Sequence, residues 1–300
     1  MIAGLPTAVV ASGDSRLAAM LLNPVVRLGF PDLPPHWRTT TIRFRCGRPA
    51  GFQPGPWMVR SVRGAWGRTL KSFRRAGGDE AWQGFFCEHA IIGRNHVPKP
   101  YVLAVEARVD ELIVVMTLFG RADYWRDTVI ETMATALERG IGIAENSPLL
   151  KRWRVLDWHW TCDPSFVASS PRSDILMTFE TPLKMGSSEV HQPRLQDSIK
   201  GLVARIAGLA RWMGIEVDHR PKELAVLCDR IRVHALPERQ AIDGFMKFTG
   251  GADRIETPVV GTTAPVVLEG IPPEIWPVLA LGTTCLIGGH VVYGFGRYRI

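Results

Sequence analysis

The order of secondary-structure elements in the first half of the chain constrains its fold more than any other sequence feature. Apolar runs and alternations predict four strands, at residues 39–46, 98–107, 112–118 and 153–160. Apolar residues at helical spacing predict helices at 57–75 and 124–139, and Gly140 stands where a C-cap glycine is expected. The order strand, helix, strand, strand, helix, strand is that of the ferredoxin-like unit, so we expect an α+β fold.

The second half of the chain repeats this order. We predict strands at 174–182 and 259–270, a final strand near the C-terminus, and helices at 195–213, 222–232 and 272–281. Residues 163–173 are rich in Ser and Pro, which is typical of a linker. The predicted organisation is therefore an N-terminal extension at 1–38, a first domain at 39–162 and a second domain at 174–300.

The last sixteen residues, 285–300, combine strand-forming and strand-weakening residues. Apolar and aromatic residues favour a strand, but four glycines interrupt it: Gly288, Gly289, Gly294 and Gly296. Without Cβ atoms, backbone N–H groups could approach a bulky anionic ligand closely. Arg297 and Arg299 are expected on one face of the strand and Tyr298 on the other. The alternative is a terminal hairpin with ordinary glycine turns and solvated arginines.

The predicted helix at 57–75 is strongly basic. Its positive side chains are Arg60, Arg63, Arg68, Lys71, Arg74 and Arg75. A charge run of this density exceeds what a solvated face usually carries and favours an anionic partner such as a phosphate backbone. The glycines at 64 and 67 indicate close packing or ligand approach. The alternative is an ordinary surface helix.

Composition narrows the class of protein. The net charge of +7 favours an anionic partner, although 29 acidic residues dilute the 36 basic ones. The five cysteines are dispersed, which argues against a disulfide framework or a zinc site and fits a reducing cytoplasm. The sequence has no apolar run of membrane-spanning length and no signal-peptide pattern, so we expect a soluble cytoplasmic protein. It also lacks a His/Asp/Glu metal cluster and a nucleotide-binding motif, so we expect no cofactor.

Several short motifs in the sequence resemble those of a known protein family. The segments 287–289 and 294–298 (Ile-Gly-Gly and Gly-Phe-Gly-Arg-Tyr) resemble the C-terminal signature of the CRISPR-associated RAMP proteins. Within that superfamily the chain is most similar to the endoribonucleases that process repeat RNA. The Arg-Gly-Ala-Trp-Gly-Arg sequence at 63–68 and the Thr-Pro-Leu-Lys sequence at 181–184 match further family patterns. The resemblance covers roughly residues 39–300.

The resemblance implies a fold, an activity and a set of RNA contacts. The implied fold is two ferredoxin-like (RRM-like) units in tandem with a C-terminal glycine-rich loop. The implied activity is metal-independent cleavage of CRISPR repeat RNA by its own 2′-hydroxyl, leaving a 2′,3′-cyclic phosphate and a 5′-hydroxyl, with the product hairpin retained. Other subunits of a CRISPR ribonucleoprotein complex are implied partners. The candidate RNA contacts are Arg68, Lys71, Arg74, Arg75, the family's Arg239-Gln240 pair, Gly288, Gly289, His290, Gly294, Gly296, Arg297 and Arg299.

The catalytic residues are harder to assign, because many family members carry a histidine in or near the first helix and residues 57–75 contain none. His36 is the nearest, and Arg38 shares its face if the segment is extended, so the two could act as proton donor and charge stabiliser. Alternatively, Arg38, Arg60 or Arg63 stabilises the transition state in an arginine-dependent enzyme. The missing cysteine cluster and the long N-terminal extension suggest a divergent branch, with type IV systems as a candidate lineage.

Two other classes of function remain open from the sequence. A non-catalytic subunit that holds crRNA in an effector complex would share the fold and the glycine-rich loop. A ferredoxin-like metabolic enzyme or regulator is more distant, because the sequence has a basic first helix and no nucleotide-binding motif.

Overall fold

The computed structural model describes residues 15–48, 58–73, 79–87, 89–90, 96–141, 152–184, 194–218, 220–234, 240–249, 255–289 and 291–300. Four predicted RNA contacts, Arg74, Arg75, Arg239 and His290, lie outside these ranges. For Gln240 only the backbone is described.

The described N-terminal segment packs against the second half of the chain. It contains helix α1 (Ser15–Leu22) and strand β1 (Val26–Leu28), followed by a 3₁₀ turn, Pro34–His36. The backbone N–H of Val25 donates to the carbonyl of Gly214, 2.8 Å away, and the Arg211 guanidinium donates to the carbonyl of Leu21. This segment is thus a short helix followed by a strand that docks on the second half.

The first half forms an antiparallel four-stranded sheet backed by helices. In chain order its elements are β2 (Thr39–Gly47), α2 (Met58–Phe73), α3 (Asp79–Phe86), the short strands β3 (His89–Ala90) and β4 (His96–Val97), β5 (Tyr101–Ala107), β6 (Glu111–Phe119), α4 (Arg126–Arg139) and β7 (Val155–Asp163). The sheet order is β5-β6-β2-β7. Each of the three strand pairings in this sheet is antiparallel. This is the strand order of a ferredoxin-like unit.

The second half builds a sheet of the same kind. Its elements are β8 (Ile175–Phe179), α5 (Leu195–Ala210), β9 (Ile215–Val217), α6 (Pro221–Arg230), β10 (Arg232–His234), β11 (Gln240–Thr249), β12 (Ile255–Gly261), β13 (Val266–Glu269), α7 (Trp276–Cys285) and β14 (Tyr298–Arg299). The order β10-β13-β8-β14 repeats that of the first sheet. β9 pairs in parallel with β1, and β11 and β12 form a separate hairpin. The predicted α+β tandem ferredoxin-like fold is confirmed.

Three sequence-based assignments in the second half are wrong in detail. The strand predicted at 259–270 is two strands, β12 and β13, because Thr262 pairs with Leu183 instead and Pro265 provides no N–H for a ladder. The helix predicted at 272–281 begins four residues later, at Trp276, with Pro277 in its first turn. Residues Val291–Tyr293 form a 3₁₀ turn instead of a strand, because Gly294 follows with a positive φ of 78°.

One continuous apolar core joins the two halves. Six of the described tryptophans are buried in it: Trp37, Trp66, Trp125, Trp153, Trp212 and Trp276. The rings of Trp125 and Trp212, from opposite halves, meet edge to face with centroids 6.2 Å apart. The indole of Trp212 also donates to the carbonyl of Pro98. No described helix has both the length and the apolar character needed to cross a bilayer.

We expect the cysteines to divide sharply in their reactivity toward iodoacetamide. Burial raises the pKa of Cys46 to about 12 and those of Cys228 and Cys285 to about 11, whereas Cys162 is exposed. Because the thiolate is the reacting form, the three buried thiols stay protonated and unreactive at any mildly alkaline pH. Mass spectrometry of the native protein should find Cys162 modified first, with Cys46, Cys228 and Cys285 modified only after unfolding. Rapid native modification of Cys46 would contradict the packing described above.

Candidate functional site

Helix α2 presents one apolar and one basic face. Val62, Trp66 and Leu70 are fully buried against the first sheet, while Arg68 and Lys71 are exposed. The Cβ of a residue at position 67 would lie 2.8 Å from the Phe86 ring, so this glycine is required by close packing with α3. Arg68 and Lys71 are therefore exposed to solvent, and their contact with RNA stays a prediction.

Arg63 lies at the boundary of these two faces and reaches the C-terminal segment. Its Nε donates to the hydroxyl of Tyr101, 2.7 Å away. Its guanidinium lies over two rings, 4.9 Å from the centre of Phe86 and 5.4 Å from that of Tyr293. Arg63 thus connects α2, β5 and the 3₁₀ turn that precedes Gly294.

A second arginine approaches the same tyrosine from the other half of the chain. Arg205, on α5, donates from Nε to the carbonyl of Cys285, 2.8 Å away, at the end of α7. A cation is favourable there because the C-terminus of a helix carries partial negative charge. Its Nη2 is buried and has no hydrogen-bond partner among the described residues. Burial lowers the pKa of Arg205.

We call Arg63, Tyr101, Arg205 and Tyr293 the arginine–tyrosine cluster. Burial raises the pKa of Tyr101, and the nearby positive charges of Arg63 and Arg205 oppose that shift. Within the described part of the chain, neither Arg63 nor Arg205 forms an ion pair with a carboxylate. A buried positive charge without a counter-ion is costly, so the cluster is suited to an anionic ligand.

The glycine-rich segment (residues 286–296) is held by its own protein contacts. The N–H groups of Gly289, Gly294 and Gly296 donate to the carbonyls of Lys184, Val291 and Pro182. These three N–H groups are therefore already occupied within the protein, and contact of the glycines with RNA stays a prediction. Positive φ and crowding account for Gly288, Gly294 and Gly296: at Gly288, with φ of 86°, a Cβ would lie 2.6 Å from the carbonyl oxygen of Lys184.

Two motifs that are distant in sequence meet at this segment. In the Thr-Pro-Leu-Lys sequence, the hydroxyl of Thr181 donates to the carbonyl of Gly294 and accepts from the N–H of Arg297, at 2.7 and 2.9 Å. The carbonyls of Pro182 and Lys184 accept the bonds from the glycine-rich segment described above. The Thr-Pro-Leu-Lys sequence is therefore the scaffold that fixes the shape of the glycine-rich segment.

Arg297 and Arg299 share a face, as predicted, while Tyr298 is buried and donates to the carbonyl of Leu279. Both arginines contact the carboxylate of Glu180, and Arg297 also lies 3.4 Å from that of Glu106 on β5. Arg297 thus connects the two sheets, and its charge is largely neutralised by carboxylates. Arg299 is mostly exposed and remains the better placed of the two for a phosphate.

His36 and Arg38 are exposed on either side of the buried Trp37. The Trp37 indole donates to the hydroxyl of Thr284, 3.0 Å away. Thr284 precedes Cys285, whose carbonyl holds Arg205, so consecutive residues of α7 anchor the His36 segment and the cluster. The side chains of His36 and Arg38 form no hydrogen bond or ion pair with other described residues, and the structure does not join them to Arg60 or Arg63.

Sequence reasoning identified Arg63 but missed Tyr101, Tyr293 and the role of Arg205. A signal for Arg205 was present, because it interrupts the apolar stripe of α5 formed by Leu202, Ile206 and Leu209. A cation at such a position has to be buried or to find a polar partner. No sequence signal marks Tyr101 and Tyr293 as site residues, because an isolated aromatic residue in an apolar strand or turn is normally interpreted as part of the hydrophobic core.

The protein belongs by its fold to the class of α+β proteins with two ferredoxin-like units in tandem, and a glycine-rich segment precedes its last strand. Cas6 proteins share this fold among solved structures. A product complex of Cas6 (TTHA0078) matches with a TM-score of 0.53 at 15% identity, covering 87% of this chain and 98% of that one. A product complex of Thermus thermophilus Cas6 (TTHB231) matches with a TM-score of 0.51, also at 15% identity and with the same coverage. These similarities confirm the resemblance at the level of the fold. No protein-family model matches the sequence, and no curated protein is significantly similar to it.

Proposed function

We propose that this protein is a metal-independent endoribonuclease that cleaves CRISPR repeat RNA and retains the product hairpin. The observation that carries the proposal is the arginine–tyrosine cluster, in which two arginines without carboxylate partners converge on Tyr101 beside the glycine-rich segment. The shared fold adds support, since the Cas6 structures described above include product complexes. Action in the cytoplasm, with other subunits of a CRISPR ribonucleoprotein complex, belongs to the same proposal.

In this mechanism the substrate's 2′-hydroxyl attacks the adjacent phosphorus, and the bond from phosphorus to the 5′-oxygen breaks. The products are a 2′,3′-cyclic phosphate and a 5′-hydroxyl. The protein has to align the two groups, transfer protons and stabilise the extra negative charge. We assign charge stabilisation to Arg63, supported by Arg60 one turn earlier on α2. His36 is the candidate for proton transfer, and Arg38 for further charge stabilisation, because Trp37 anchors both at the end of α7 that also holds Arg205.

The basic face of α2 supplies the RNA-binding part of the proposal. Arg68 and Lys71 are exposed on the same helix as Arg63, and an A-form stem presents mainly phosphates and 2′-hydroxyls to such a face. Arg299 offers a further phosphate contact at the C-terminus. Affinity should therefore fall steeply with increasing salt concentration.

A second candidate function is a crRNA-binding subunit without cleavage activity. One observation favours it: within the described residues, no histidine side chain belongs to the arginine–tyrosine cluster. The cluster would then hold a phosphate of the bound RNA without catalysing its transfer.

Cleavage of a 5′-labelled cognate repeat RNA, with protein in excess and EDTA present, separates the two functions. We expect one discrete product that ends in a cyclic phosphate, and no product when the nucleotide before the cut carries a 2′-deoxy sugar. Tight binding of an RNA that stays intact would refute the nuclease and leave the crRNA-binding subunit. Failure to bind the repeat RNA at all would refute both.

A further inference from the structure

Strand β7 is exposed to an unusual degree for a strand of nine residues. It pairs with β2 along one edge, and no other described strand pairs with its second edge. Residues 156–163 are all exposed, so β7 is open on both faces as well as on that edge. Trp158 and Trp160, which alternate onto one face, are 48% and 41% exposed.

Such an edge is a template for another strand. Among the described residues, none is shown hydrogen-bonded to the backbone of β7 on the open side. Proteins usually protect long edges with lysine, proline or a covering element. Here a bulge at Leu156, which is itself 46% exposed, interrupts only the first residues of the strand. The centre carries tryptophans, the residues most enriched at protein–protein hot spots.

We propose that β7 pairs with β7 of a second copy of this chain, antiparallel about a two-fold axis at His159. This register uses the full strand, because His159 is its middle residue. It places Trp158 opposite Trp160 of the partner subunit, and symmetry repeats the pair, so four indoles meet on one face. The two first-half sheets would then form one continuous eight-stranded sheet.

The charges on the opposite face fit this register. Asp157 lies beside Arg45 of its own sheet, with which it forms an ion pair, and would stand opposite Thr161 of the partner subunit. A slip that centres the axis on Trp160 would instead oppose Asp157 to Asp163 of the partner subunit, twice. Like charges directly opposite each other destabilise a strand pair, so they disfavour the slipped register.

A second copy fits this surface better than RNA does. Arg126 lies over the Trp160 ring at 4.0 Å, but its charge is paired with Asp123 and Asp127. Asp157 and Asp163 add negative charge along the strand. A surface with balanced charge gives little attraction to a phosphate backbone, whereas it suits a protein partner.

Sedimentation velocity of the full chain over a wide concentration range tests the proposal. We expect a monomer–dimer equilibrium that Trp158→Asp weakens at least about hundredfold, because each symmetric aromatic pair is lost. Leu176→Asp is the matched control, since Leu176 is 56% exposed on a strand of the other sheet and should leave the equilibrium unchanged. Circular dichroism should show that both variants are folded.

Cysteine cross-linking in a Cys162→Ser background tests the register. His159→Cys places two cysteines across the axis, where directly opposite Cα atoms lie within disulfide range, so mild oxidation should give a covalent dimer. Trp158→Cys faces a tryptophan and should cross-link far more slowly. Equal cross-linking of both variants, or of neither, would overturn the register.

Two outcomes would overturn the dimer itself. One is a wild-type protein that stays monomeric at every concentration. The other is a dimer that Trp158→Asp and Leu176→Asp leave equally intact. If the protein is monomeric and Trp158→Asp lowers its affinity for single-stranded RNA, the tryptophans are a base-stacking surface and the dimer proposal fails. None of these results depends on the proposed nuclease activity.

Discussion

Replacing Arg63 by alanine is expected to lower single-turnover cleavage of repeat RNA by roughly a hundredfold to a thousandfold. That range is typical of removing one group that stabilises transition-state charge. Arg63 is held for this role by the Tyr101 hydroxyl and by the rings of Phe86 and Tyr293. Lysine at this position should recover little activity, because an ammonium group cannot reproduce the planar stacking and the directed Nε bond.

Three controls separate this role from a structural one. Arg220→Ala removes an arginine that is 80% exposed and pairs with Glu223, so it should leave cleavage unchanged. Tyr101→Phe keeps the buried ring but releases Arg63, and it should lower cleavage while the protein stays folded. If Arg63 contacts one phosphate, its loss should also reduce the slope of log affinity against log salt by about one. Unchanged cleavage and an unchanged slope in Arg63→Ala would remove the cluster from the mechanism.

The fold was predictable because it depends on patterns that are local in sequence. The apolar alternation in β2, the apolar runs in β5 and β6 and the helical spacing in α2 and α4 each lie within one element. Their order then selects the ferredoxin-like topology with few alternatives. One boundary that was missed, the break between β12 and β13, depends on the pairing of Thr262 with Leu183, which no local pattern contains.

The candidate site was only half predictable for the same reason. The basic residues of α2 lie within one helix, so Arg63 could be predicted as a site residue from the sequence. Its hydrogen-bond partner Tyr101, on β5, could not. The sequence suggested that the glycine N–H groups are available to an anion. The carbonyls that accept from Gly289 and Gly296, those of Lys184 and Pro182, lie more than a hundred residues earlier, so no local pattern reveals these bonds. Arg205 becomes visible as a site residue only when α5 packs against the end of α7.

Gly296→Ala is expected to cause the largest loss of stability in the second half, roughly 2–5 kcal/mol of the free energy of unfolding. Gly296 has a φ of 77°, which costs a residue with a Cβ about 1–2 kcal/mol. A Cβ there would also lie 1.8 Å from the carbonyl oxygen of Ile287. Because that oxygen is a backbone atom, the clash can be relieved only by moving the backbone. The N–H of the same residue, Ile287, donates to the carbonyl of Gly296. A shift of the Ile287 backbone would therefore break this hydrogen bond.

Gly270→Ala is the matched control that divides this loss into its two causes. Gly270 has a φ of 69°, but a Cβ there would meet nothing within 4 Å. Urea unfolding should therefore show a loss of about 1–2 kcal/mol for Gly270→Ala and a clearly larger one for Gly296→Ala, at similar m values. Equal losses would mean that Ile287 moves freely and that only the backbone conformation requires glycine. Because Gly296 fixes the segment that carries Tyr293, its variant should also bind RNA less tightly, although its N–H is already occupied by Pro182.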